Sequence, residues 1–261
     1  MRIAFFDSGL GGLTVLSTAL NMLPCEDFLF YADTLHVPYG TKPKEDVQSY
    51  IHQAIESIMT EDDIKAIVIA CNTATSLTIS DLRQKYAIPV IGMEPAVKPA
   101  VEINRATGKR ILVFATPLTL QETKYRDLVQ RVDEKHMVDS LPLPELVEYC
   151  EALHFDRQTI EDYFKRKLAD FNLADYGTVV LGCTHFPFYT ELLSQILPSH
   201  IHIIDGNQGT VKRLTHVLRH RESLRTDGSS DIKLLNSAQS DSYTSKMEEA
   251  LDFLRRSRKS H

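Results

Sequence analysis

Several classes of protein are excluded by what this chain has little of. In its 261 residues no stretch approaches the roughly 18 consecutive apolar residues of a membrane span. The opening Met1-Arg2-Ile3-Ala4-Phe5-Phe6-Asp7 is too short an apolar run for a signal peptide, and an acid interrupts it. Cysteine is scarce, with four residues, too few for a disulfide framework in a chain of this length. Free thiols in a reducing cytoplasm are therefore expected. Basic residues are not in excess either. The net charge of −6 argues against a general nucleic-acid binder. The one basic cluster, Arg255, Arg256, Arg258 and Lys259, suits the solvated C-terminal end of a helix. Also missing are the G-x-G-x-x-G dinucleotide spacing, a Walker lysine, and, around Cys183 and His185, the C-x-x-C or H-x-x-x-H spacing of a zinc site. No short repeat or low-complexity tract interrupts the chain.

What is present is an ordinary globular composition, 43% hydrophobic and 25% charged, with apolar runs alternating with amphipathic stretches. Strands are predicted over Ile3–Phe6, Phe28–Tyr31, Ala66–Ala70, Pro89–Gly92, Ile111–Ala115, Thr178–Leu181, Ile201–Ile204 and Ile232–Asn236. Helices are predicted over Gly12–Met22, Lys44–Met59, Thr75–Tyr86, Leu118–Val132, Arg157–Phe171, Phe188–Leu197, Gln208–His220 and Tyr243–Leu254. Such alternation implies an α/β fold with mostly parallel sheets covered on both faces, and ligands at the carboxyl ends of the strands. Prolines within Met93–Pro99 and the Asp205-Gly206-Asn207 turn mark candidate domain breaks. The expected division is 1–97 plus 206–261 for one domain and 98–205 for the other.

Two segments echo each other across the chain. Cys71 ends the run Ile67-Val68-Ile69-Ala70 and is followed by Asn72-Thr73-Ala74-Thr75. Cys183 ends Val179-Val180-Leu181-Gly182 and is followed by Thr184-His185, 112 residues further on. Free cysteine is commonly buried packing. A strand-to-helix junction, however, exposes a side chain beside unpaired N–H groups and lowers a thiol's pKa. Each half also has an earlier strand ending in a polar turn, Asp7-Ser8-Gly9-Leu10-Gly11-Gly12 and Thr116-Pro117-Leu118-Thr119. The glycines of the first turn allow close backbone approach and positive φ. Its helix start favours an anion, although Asp7 beside it suits an ammonium better. Taken alone, Pro38-Tyr39-Gly40 reads as a turn holding a phenol outward. Glu145, Glu148 and Glu151, spaced by three, read as an acidic and solvated helix face. Cys25, which precedes two acids near a turn, and Cys150, at an apolar helical position, have no such surroundings. From the residues alone, a cysteine hydrolase with a His185 base and a Cys/His zinc site stay open beside a chemistry that needs two equivalent thiols.

The combination Asp7-Ser8-Gly9-Leu10-Gly11-Gly12, Pro38-Tyr39-Gly40, Cys71-Asn72-Thr73-Ala74 and Gly182-Cys183-Thr184-His185 resembles the glutamate racemases of the cofactor-independent Asp/Glu racemase superfamily. The resemblance runs from Asp7 to the last helix. It implies two pseudo-symmetric α/β domains facing each other across the active site, with the C-terminal segment returning to the first. It implies that Cys71 and Cys183 are the acid/base residues on the two faces of a glutamate α-carbon, supported by Asp7 and His185. Ser8, Tyr39, Gly40, Asn72, Thr73, Thr75, Thr116, Thr119, Thr184 and His185, with Asp7, would bind substrate. The family's supporting glutamate follows a proline by seven residues, which selects Glu151 after Pro144 rather than Glu148. Leu143-Pro144 replaces the usual Cys-Pro there, and Ala115-Thr116 the frequent Gly-Thr. The resemblance further implies no cofactor or metal, a homodimer, no nucleic-acid or membrane partner, and supply of D-glutamate for peptidoglycan. With no extension before the first strand, activation by nucleotide precursors is not expected. A glutamate-binding module without turnover is the non-enzyme alternative.

Overall fold

Two all-parallel sheets form the frame of the computed structural model, which describes residues 1–259. The strands are β1 (Arg2–Asp7), β2 (Phe28–Ala32), β3 (Ile64–Ile69), β4 (Val90–Gly92), β5 (Arg110–Ala115), β6 (Val138–Pro142), β7 (Tyr176–Leu181), β8 (His202–Asp205) and β9 (Ile232–Asn236). Helices α1 (Leu13–Met22), α2 (Lys44–Glu61), α3 (Asn72–Lys85), α4 (Val97–Asn104), α5 (Pro117–Gln121) and α6 (Thr123–Val132) serve the first part of the chain. They are followed by α7 (Pro144–Glu151), α8 (Arg157–Lys167), α9 (Thr190–Ile196), α10 (Asn207–His220) and α11 (Asp241–Lys259).

The first sheet has the order β4-β3-β1-β2-β9 and the second β6-β5-β7-β8. Read from the other edge, the second is β8-β7-β5-β6, so β1 to β4 and β5 to β8 repeat one winding. The repeat extends to detail, because the β1/β3 and β5/β7 pairings each slip register after their first residue. Cys71 follows β3 and Cys183 follows β7, the equivalent strands. Asp7 closes β1 and Thr116 follows β5, also equivalent.

The central strands are buried along their length, which is why β1, β3 and β7 read as continuous apolar runs. One apolar cluster joins Phe5 and Phe30 of the first sheet to Leu112, Phe114 and Val179 of the second, through α1, α10 and α11. At about 1.5–3 kcal/mol for each fully buried large side chain, this shared core ties the two sheets together. The last part of the chain returns to the first sheet, where β9 pairs with β2 from Phe28↔Ile232 to Ala32↔Asn236.

The structure corrects several sequence expectations. β3 begins at Ile64 and includes Lys65, whose ammonium is neutralised inside by Glu26 at 2.6 Å and donates to the Ser223 carbonyl. A charged residue hid that strand start. β6 was not expected because Asp139, Ser140 and Pro142 make it a half-exposed edge strand. α4 was not expected because Pro99 marked a break, yet Pro99 sits in the helix's first turn, where its missing N–H has no intrahelical partner to lose. The single helix expected over Leu118–Val132 is two, parted at Glu122 by extended backbone (φ −71°, ψ 139°). At the C-terminus Arg255 pairs with Asp252, and the side chains of Arg258 and Lys259 lie outside the described residues.

Candidate active site

The site assembles at the carboxyl ends of β1 and β3 from one sheet and of β5 and β7 from the other, the position expected of parallel α/β folds. One small cavity is lined by Ser8, Tyr39, Gly40, Cys71, Asn72 and Thr73 on one side, and by Thr116, Val147, Cys183, Thr184 and His185 on the other. Both sulfurs therefore face the same space although their strands lie in different sheets. The cavity measures about 20 Å³, room for about one water molecule.

Cys71 is the N-cap of α3, and its sulfur accepts from the Ala74 amide at 3.5 Å. Ser8 Oγ lies 3.9 Å from the same sulfur and donates to Asp7 Oδ1 at 3.4 Å. The sequence led us to expect a lowered thiol pKa at this helix start. The structure reverses that: burial, reinforced by the Asp7 charge, pushes the Cys71 thiol up and outweighs the Ala74 amide. Burial likewise raises the Asp7 carboxyl, against the opposing pull of His185 and the Gly9 amide.

On the other side Cys183 Sγ lies 3.7 Å from His185 Nδ1, and His185 Nε2 lies 2.7 Å from Glu151 Oε1. Burial alone would lower the His185 pKa. The Cys183 sulfur and the Glu151 carboxylate overcome it and hold the imidazole well above its usual value. Burial would in turn raise Glu151, but His185 and Tyr243 hold its pKa below the ordinary carboxylate value. Glu151 is thus turned inward while Glu148 is exposed, so the acidic face expected over α7 is not uniformly solvated. The chain Glu151–His185–Cys183 is set up to move a proton to or from the sulfur.

The glycine-rich turn makes the close backbone approach expected of it, without the positive φ. None of Gly9, Gly11 and Gly12 has positive φ. A Cβ at Gly9 would overlap the Glu151 carboxylate, and one at Gly11 would overlap His185 and Thr184. The turn is a close contact between the two halves, reinforced by Thr184 Oγ1 donating to Asp7 Oδ2 at 2.9 Å and Thr14 Oγ1 to the Thr184 carbonyl at 3.0 Å. Its amides do not await an external anion. Gly9 N donates to Asp7 Oδ1 and Leu10 N to Glu151 Oε1.

Other expected residues fall in two groups. Thr73, Thr116 and Thr119 join their hydroxyls in a triangle with 3.0 Å sides, which brings α3 against α5; Thr73 and Thr116 also line the cavity. Asn72 Oδ1 is buried without a hydrogen-bond partner among the described residues, an acceptor open to a ligand donor. Gly40 packs against Thr116, with no room for a Cβ. Tyr39 is not held outward: its ring is buried and its hydroxyl donates to Asp33 Oδ2 at 2.5 Å. Thr75 does not line the cavity, since its hydroxyl donates to the Ile69 carbonyl and accepts from Met93 N. Among the described residues no group of three or more His, Cys, Asp and Glu side chains is gathered as a metal centre needs.

Sequence reasoning missed Tyr243 and Lys246. From α11, Tyr243 Oη donates to Glu151 Oε2 and Lys246 Nζ to the Glu151 carbonyl, each at 2.5 Å. The available signal was the α11 inner face, Tyr243, Met247, Ala250 and Leu254, at helical spacing.

With this geometry in hand, the fold and site define a racemase-like α/β pair. The sequence pattern of the Asp/Glu/Hydantoin racemase family matches residues 22–214, and the chain belongs to that family. A glutamate racemase of Halothermothrix orenii is 51% identical over 98% of this chain and 99% of its own. Among solved structures, a glutamate racemase isoform of Bacillus anthracis superposes with a TM-score of 0.84 at 29% identity, covering 96% of this chain and 94% of that one. The glutamate racemase of Francisella tularensis, solved with D-glutamate, gives 0.82 at 27% identity over 96% and 93%.

Proposed function

We propose that the protein is an isomerase, a cofactor-independent glutamate racemase that interconverts L- and D-glutamate by two-base proton transfer at the α-carbon. The observation that carries this reading is the pair of buried cysteine sulfurs, brought from equivalent strands of two sheets to one cavity. Inversion needs a proton removed from one face and returned to the other. One thiolate takes the α-proton and becomes a thiol, while the opposite thiol delivers its proton and becomes a thiolate. The developing carbanion has no pyridine ring to absorb charge. Preorganised donors in a dry cleft must stabilise it instead. The hydroxyls of Thr73 and Thr116 line that cleft, while those of Ser8 and Thr184, also at the cleft, donate to Asp7. The open Asn72 Oδ1 and the Asp7 carboxylate suit the substrate ammonium.

His185, backed by Glu151, serves the Cys183 side, and Asp7 through Ser8 serves the Cys71 side. A cavity of about 20 Å³ holds no amino acid, so substrate entry requires the two walls to part. The division 1–97 plus 206–261 against 98–205 supplies two walls, and the return of β9 to β2 supports it. No helix among the described residues is long and apolar enough to cross a membrane. We place the enzyme in the cytoplasm as a homodimer that supplies D-glutamate for peptidoglycan.

The test is circular dichroism of L-glutamate incubated with purified, reduced protein and no added cofactor. The signal is expected to decay to zero. Glutamate that binds but keeps its optical activity would show a binding module instead, and acylation of a single cysteine by an amide or ester would show a hydrolase.

A further inference from the structure

Glu151 occupies an unfavourable place for a charged carboxylate. It is the last residue of α7, where the helix dipole repels an anion. It is also largely buried, with only 13% of its side chain exposed. What holds it ionised comes from three other elements. Oε1 accepts from Leu10 N, in the turn after β1, and bonds His185 Nε2, after β7, both at 2.7 Å. Oε2 accepts from Tyr243 Oη on α11. One turn along that helix, Lys246 Nζ covers the Glu151 backbone carbonyl. The carboxylate is therefore oriented as well as charged: each oxygen has its own donor, and neither can rotate away from His185 without abandoning one.

We propose that Tyr243 is a positioning residue for the Cys183 half of the site: its hydroxyl fixes Glu151 Oε2 so that Oε1 stays on His185 Nε2 and the imidazole's Nδ1 stays on the Cys183 sulfur. The proposal rests on the racemase reading and extends it to a residue 92 positions from Glu151 in sequence. It also gives α11 a part in the chemistry. That helix packs on α1 and belongs with the strand pair β2/β9, so the first sheet's own C-terminal segment reaches across to stabilise a carboxylate that serves a cysteine of the second sheet. Because burial and the neighbouring Glu151 charge push the Tyr243 phenol above its usual pKa, it remains a donor throughout the working range.

The consequence is a pH dependence. The groups facing Glu151 are His185 after β7, Asp7 at the end of β1, Tyr243 and Lys246 on α11, and the neighbouring Cys150 thiol on α7 itself. Of these, Tyr243 supplies the sole contact to Oε2 among the described residues. Removing its hydroxyl leaves the anion less well held, so Glu151 takes up a proton at a higher pH and His185 loses its charged partner there.

The test compares full-length wild type with Tyr243→Phe. The kcat for glutamate is expected to fall about tenfold with KM changed less than about twofold, and the acid limb of the kcat profile to rise by about one pH unit, the effect of losing one hydrogen bond to a charged group. The Glu151 carboxyl carbon, followed by NMR in protein labelled at glutamate, is expected to titrate higher by the same amount. Replacing Tyr243 by 3-fluorotyrosine keeps the shape and strengthens the donor, so the limb is expected to move the opposite way. Tyr243→Phe with an unchanged acid limb overturns the proposal, whether kcat is unchanged or falls together with the melting temperature. If wild type racemises no glutamate, the racemase reading fails, while the Glu151 titration needs no turnover and still decides the Tyr243 contact.

Discussion

Burial and a helix N-terminus pull the Cys71 thiol in opposite directions, and in this fold burial prevails. The thiol reserve that results suits a residue that must deliver a proton as well as take one. Across the cavity the Glu151–His185 pair pulls the other way, each partner favouring the charged form of its neighbour. Glu151→Gln keeps the shape and removes the charge, and is expected to lower stability by about 2 kcal/mol near pH 6. The sign follows from the two shifts. The lowered Glu151 pKa contributes stability above its unfolded value of about 4.3, lost as pH falls through the folded value. The raised His185 pKa contributes stability below about 6.5, lost as pH rises through the folded value. Denaturant titrations from pH 3 to 9 should show the gap between wild type and variant largest between those two values and narrowing on both sides. At this scale the sequence was most legible where chemistry sits in short motifs. Cys183 and His185 share one motif, and Asp7 and Ser8 another, whereas the choice of Glu151 over Glu148 needed the proline spacing of a resemblance. Tyr243 had only the helical spacing of the α11 inner face as a signal, because its partner is supplied by the tertiary fold.

Elements were legible where both faces are buried. The central runs of β1, β3, β5 and β7 are apolar and were found, although Lys65 hid the start of β3, while edge strand β6, with Asp139 and Ser140, was not. Helix breaks were harder, since Glu122 carries no Gly or Pro to announce one. The turn after β1 shows how an element can be recognised and its use only partly read. Three glycines promised close backbone approach and positive φ; the structure has only the first, bringing Gly9 against Glu151 and Gly11 against Thr184 and His185. Gly11→Ala is therefore expected to displace His185 or Thr184, to cost about 1–3 kcal/mol from overpacking, and to lower kcat more than tenfold. Gly209, in α10 with open space around it, is the control. Gly209→Ala should leave kcat unchanged and raise stability by up to about 1 kcal/mol. Melting curves and steady-state rates on the two variants separate close contact from any general effect of losing a glycine.

At the scale of the molecule, one winding occurs twice, β1 to β4 and β5 to β8, and the cysteines occupy equivalent places in it. The echo seen in the sequence, two strand–Cys–hydroxyl units with matching earlier turns, is this duplication. The return of the chain is less symmetric. β9 and α11 add to the first sheet, and the loop before β9 is held at its base by the buried Lys65–Glu26 pair, with Arg225 N also donating to Glu26. Nothing in the periodicity of residues 221–231 announces that anchorage, which depends on a lysine buried in a central strand. The division of labour across the cavity, one cysteine from each sheet acting on opposite faces of one carbon, is the central claim. Its most direct test is solvent exchange in D₂O with Cys71→Ala and Cys183→Ala, each begun from either enantiomer of glutamate. Each single variant should lose racemisation of both enantiomers, by a factor on the order of a thousand, while wild type incorporates deuterium as it inverts. Racemisation near the wild-type rate by either variant would contradict the two-cysteine account.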